Sequence, residues 1–130
     1  MIFIPGAVPS SKNSKQVFRR DGKTIVIWSK IALKYVRDSE EHWIRNKINF
    51  LELTTNVSLP LLVGFHFVRR TRHKYDFVNP LQTVQDLMKK YEWINDDNTD
   101  ILIPFPLLIN EVYSSYDKEN PGVYIKLLNC

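Results

Sequence analysis

Ten residues in the middle of the chain, Leu59–Val68 (LPLLVGFHFV), constrain the fold more than any others. Their apolar character does not alternate, so a strand built from them has both faces to cover. That places it at the centre of a sheet. His66 interrupts the apolar run and is expected to be a buried histidine satisfied by hydrogen bonds rather than a ligand.

The sequence on either side of this strand reads as short elements joined by clear turn signals. Met1–Pro5 has the pattern of a first strand, and Pro5-Gly6 with Pro9-Ser-Ser makes the next segment a loop carrying Lys12 and Asn13. Asp21-Gly22 between Val17–Arg20 and Thr24–Trp28 predicts a hairpin. Ser29 is a candidate cap for a helix reaching about Leu51. Its apolar stripe is Ala32, Val36, Trp43 and Phe50, and the charges of Lys30, Lys34, Arg37, Glu40, Glu41 and Arg45 lie elsewhere on it. Pro80 favours the first turn of a second helix, to Tyr91 or Glu92, with Leu81, Val84, Met88 and Tyr91 facing inward. Asn79, Gln82, Asp86 and Lys90 share its other side. Ile101–Ile103, Leu107–Tyr113 and Val123–Leu128 then read as strands, with Pro121-Gly122 making the final turn.

A chain of 130 residues, 44% hydrophobic and 25% charged, suits one soluble domain, residues 1–130, with a core of its own. No apolar run reaches the roughly 18 residues of a membrane span. The first residues lack the basic start of a signal peptide, so no membrane partner is expected and the expected location is the cytoplasm. A single cysteine, Cys130, rules out an intrachain disulfide and a cysteine-based zinc site.

Charge is divided unevenly. Residues 1–75 hold 14 Lys/Arg and 5 Asp/Glu, and residues 76–130 hold 4 and 9. The balance runs from +9 to −5, as expected for a polyanion-binding surface beside an acidic site. The boundary is abrupt: the central strand runs into Arg69-Arg70-Thr71-Arg72-His73-Lys74-Tyr75-Asp76. In an extended chain, Arg70, Arg72, Lys74 and Asp76 would share one face. One helix later come Asp86 and the acidic loop Asn95-Asp96-Asp97-Asn98. Carboxylates that converge from these places suit Mg²⁺, which prefers oxygen ligands, keeps several waters and needs only one or two carboxylates. Such an ion can position a water and relieve charge on a phosphodiester. Asp76 and Asp97 lead as ligands, with Asp86 and Asp96 next; for any one acid alone, a turn or surface role is the plainer reading. Trp93, beside the acidic loop, is expected to pack beneath it rather than stack on a base.

These residues together resemble the RusA-type Holliday-junction resolvases, small endonucleases often encoded on prophages. The resemblance rests on Ile4-Pro5-Gly6, Ser11-Lys12-Asn13, Arg69-Arg70, Asp76-Phe77-Val78-Asn79, Gln82, Asp86-Leu87-Met88, Trp93-Ile94-Asn95-Asp96-Asp97 and Pro121–Ile125, in family order along nearly the whole chain. It implies an α+β fold: a single two-layer domain with a mixed β-sheet packed by two main helices. It further implies a homodimer that uses Mg²⁺ or Mn²⁺ to cut branched DNA, leaving paired nicks across a four-way junction in recombination and repair. Asp76 matches the first catalytic acid, Asp97 the last and Asp86 the helix acid; Asp96 joins Asp76 and Asp97 as a candidate metal ligand. Lys12, Asn13, Arg69, Arg70, Arg72, Lys74, Asn79 and Gln82 are the expected DNA contacts.

Two positions depart from the family pattern. Val78 stands where it has a second acid, and Gln82 where it has a lysine. Asp86 or Asp96 is a candidate replacement for the acid, and Lys74 or Lys89 for the cation. The alternative these departures support is a relative that binds junction DNA without cutting it. A basic module for RNA or protein, with its acids merely on the surface, is the third possibility.

Overall fold

The computed structural model describes residues 1–10 and 15–129 of the chain. It is a small α+β domain whose elements run β1 (Ile2–Pro5), β2 (Lys15–Arg20), β3 (Lys23–Trp28), α1 (Lys30–Thr54), β4 (Leu61–Arg69), α2 (Val78–Lys90), β5 (Leu102–Pro106), β6 (Ser114–Tyr116) and β7 (Gly122–Leu127). The main sheet is mixed, in the order β1-β7-β4-β5. β7 takes one edge of β4 in antiparallel register, Val63 opposite Leu127 through Val68 opposite Gly122. The other edge is shared end to end by two parallel strands, β5 against Leu61–Phe65 and β6 against Phe67–Arg69.

β4 is central and covered on both faces, as its composition requires. Leu61, Val63, Phe65 and Phe67 enter the core with Ile2, Ile4, Val123 and Ile125 from neighbouring strands. Both helices complete this core, α1 through Tyr35, Trp43 and Phe50 and α2 through Leu81, Val84, Leu87 and Met88. The opposite face of β4 lies against the Leu107 segment. A Cβ on Gly64 would come within 3.0 Å of the Leu107 side chain. His66 is fully buried there, its Nδ1 2.8 Å from the Leu107 carbonyl and its Nε2 2.6 Å from Ser115 Oγ, so it is a satisfied core histidine.

The helix signals hold with shifted ends. Ser29 Oγ accepts from the Ala32 N–H at 3.2 Å, a cap worth about 1 kcal/mol. The helix continues to Thr54 rather than Leu51. α2 begins at Val78, two residues before the proline, because Pro80 still falls where a helical N–H has no partner. Asp21 and Gly22 both have positive φ, 52° and 74°, the requirement of a type I′ hairpin turn. That hairpin is a separate two-stranded sheet with Val17, Ile25 and Ile27 exposed.

One expected strand is corrected. Leu107–Tyr113 is not a strand: Asn110 and Glu111 both have positive φ, and Ile109 and Val112 close a tight turn by bonding to each other. Pairing resumes only at Ser114. Among the described residues, no helix is long and apolar enough to cross a membrane.

Candidate nucleic-acid interface and acid cluster

The basic run does not stay extended. β4 ends at Arg69, opposite Tyr116, the last residue of β6. With no further ladder to join, the chain folds back. The Arg69 guanidinium lies 4.1 Å from the centre of the Tyr75 ring and donates to the His73 carbonyl. Tyr75 meets Phe67 edge-on at 6.5 Å, which ties the loop to the core. Arg69 is therefore half-buried and holds the loop, and the residues that follow it form no regular strand. Instead Arg69, Arg72, Lys74 and Asp76 line a cleft of about 890 Å³ with Asn79, Ser115 and Tyr116. Arg70 lines an adjoining groove of about 570 Å³ with Arg72, His73, Tyr116 and Lys118.

Asp76 stands just before α2, and its carbonyl accepts from the Asn79 N–H at 3.0 Å. A carboxylate at this end of a helix also suits the helix dipole. Val78, the first residue of α2, is exposed.

The other acids gather farther along α2. Gln82 Nε2 donates to Asp86 Oδ1 at 2.8 Å and to Asp97 Oδ2 at 3.3 Å, so one amide joins two carboxylates from different segments. Asp86 is half-buried, bonded to Gln82 and not part of the cleft lining. Asp96 accepts from the Asp97 N–H at 2.8 Å and from Asn98 Nδ2 at 3.3 Å, and Lys89 Nζ lies 3.5 Å from it. The Asp97 N–H, then the Asn98 amide, then the Lys89 charge hold the Asp96 carboxyl below the usual carboxylate range. Trp93 forms the floor of this loop. It is buried between Trp43 and Phe50, each 5.1 Å away, and donates from Nε1 to the Trp43 carbonyl at 2.9 Å.

The structure thus brings Asp86 together with Asp97, Asp96 with Lys89, and Asp76 with Arg69, Arg72 and Lys74. It does not gather Asp76, Asp96 and Asp97 into one shell: among the described residues, no three His, Cys, Asp or Glu side chains group closely enough to hold a metal ion. Gln82, expected as a DNA contact, spends its amide on the acids. Lys12 and Asn13 lie outside the described residues. Tyr116 was missed from sequence because it sits in a three-residue strand with no pattern of its own. No protein-family model and no curated protein matches the chain.

Proposed function

We propose that this protein is a metal-dependent, structure-selective DNA endonuclease that resolves four-way junctions by paired nicks, working as a homodimer in the cytoplasm. The observation that carries this reading is Asp76 in a cleft with Arg69, Arg72 and Lys74, at the start of the helix that holds Asp86 beside Asp97. Guanidinium and ammonium groups bind phosphate oxygens, and arginine does so in bidentate fashion. The carboxylates have the donor chemistry Mg²⁺ or Mn²⁺ prefers. Asp76, Asp86, Asp96 and Asp97 are the candidates to hold such an ion; no three of them group closely enough to share it, so it would rest on one or two carboxylates and its waters. When bound, it supplies charge relief on the scissile phosphate and a more acidic water. The chain's own part is to bind the backbone in the basic cleft and to hold the acids in position. A homodimer suits a substrate that is itself nearly two-fold symmetric.

A second reading, junction binding without cleavage, draws on Gln82. Its amide bonds both Asp86 and Asp97 and carries no charge toward a phosphate. An assay with a labelled four-way junction and a linear duplex of the same sequence, in Mg²⁺, Mn²⁺ or EDTA, separates the readings. Metal-dependent paired nicks in the junction support the enzyme. Tight junction-selective binding with no product in any metal supports the binding protein, and equal affinity for junction and duplex counts against both.

A further inference from the structure

The cleft and its adjoining groove share an aromatic ring that the proposed cleavage reaction does not use. The Arg72 guanidinium lies 4.4 Å from the centre of the Tyr116 ring, and both residues line both hollows. Tyr116 is 42% exposed and Arg72 is exposed as well. The other cation–ring pair of this region, Arg69 with Tyr75, is half-buried, tied to Phe67 and bonded to the loop backbone, so it has an evident structural task. The Arg72–Tyr116 pair lies instead at the surface, flanked by Arg70, His73 and Lys118.

An exposed ring and a guanidinium plane among cations make a stacking platform with phosphate contacts around it. Every base has a π face, so such platforms accept single strands with little regard to sequence. In a paired duplex those faces are already stacked and out of reach. We infer that Tyr116 and Arg72 form a binding site for an unpaired nucleotide, with the strand running along Arg70 and Lys118 out of the cleft that holds Asp76. The site would favour DNA with a single-stranded or unstacked segment over continuous duplex. This inference rests on the nucleic-acid reading of the cleft.

The test is binding of the full-length protein, in EDTA, to a fluorescently labelled 15-nucleotide oligo-dT and to a linear duplex, for wild type, Tyr116→Ala and Tyr116→Phe. Tyr116→Ala is expected to weaken oligo-dT binding about tenfold, the scale of one lost base–ring stack. Duplex affinity should change less than twofold, and Tyr116→Phe should bind oligo-dT within twofold of wild type. Unchanged oligo-dT binding by Tyr116→Ala would overturn the inference while leaving the cleft a nucleic-acid site. An equal loss on both DNAs would also overturn it, because it would mark a contact blind to unpaired bases. Wild type that binds neither DNA nor a four-way junction would remove the reading beneath it.

Discussion

The two ends of α2 are built differently. Its N-terminal end meets a loop of eight residues, Arg70–Phe77, that belongs to no regular element and carries exposed cations. Its C-terminal end meets a loop set on a buried tryptophan, with Asp96 and Asn98 turned into local backbone hydrogen bonds. Phosphate contacts tolerate a compliant surface, since charge acts at a distance and a backbone has many equivalent oxygens. Acids that hold a metal or position a water need rigid support from below. The division matches the proposed roles in part: the cations and Asp76 lie at the N-terminal end, and Asp96 and Asp97 lie on the supported loop.

If the acidic end is the rigid one, its floor should matter most. Trp93→Ala removes a fully packed indole and its hydrogen bond to the Trp43 carbonyl, and should cost about 3–5 kcal/mol, measured by urea unfolding. A loss under 1 kcal/mol would mean the acidic loop does not depend on this floor. Gly122→Ala probes the sheet beside the basic end, where Gly122 pairs with Val68. A Cβ there would fall 2.3 Å from the Phe3 ring and 2.6 Å from the Ile4 carbonyl, so about 1–3 kcal/mol should be lost.

At the basic end, charge rather than stability should respond. Arg70→Ala with Arg72→Ala should leave unfolding nearly unchanged and reduce the slope of log affinity against log salt by about 2 for duplex DNA. An unchanged slope would move the phosphate contacts elsewhere. The acidic loop should respond to pH instead. Folding lowers the Asp96 carboxyl below its ordinary value. The stability this contributes is therefore complete above about pH 4 and is lost as pH falls through the folded value. Asp96→Asn should weaken the fall in stability over that acid range, in unfolding experiments run from pH 6 to pH 2. The smallest effect is expected for Gln82→Ala, whose exposed hydrogen bonds are worth under about 1 kcal/mol. A larger loss would show that the amide holds the acids in place.

Much of this was legible in the sequence, for reasons that are local. Asp21-Gly22 demands positive φ at two successive residues, Ser29 offers an oxygen to a free N–H, and an apolar run without alternation needs cover on two sides. Each signal carries its own physics within a few residues. The end of β4 was not legible, because a strand stops where its partner stops, and β6 ends at Tyr116, nearly fifty residues away. β6 itself was hidden for a related reason. Leu107–Tyr113 is apolar enough to be a strand, yet it turns at Asn110-Glu111, and the paired residues are the polar Ser114 and Ser115. The candidate acids were visible one at a time. The amide bridge of Gln82 between Asp86 and Asp97 was not, since it depends on how the loop after α2 returns to the helix.

The central claim is that Asp76, just before α2, and Asp97, bonded to Gln82 of α2, serve one metal-dependent reaction. The most direct test is cleavage of a labelled four-way junction in Mg²⁺ by wild type, Asp76→Asn, Asp97→Asn and the double variant, with binding measured alongside. Each single variant should abolish paired nicks while still binding the junction, and the double variant should be no worse than either. Cleavage that survives in the double variant would contradict the claim.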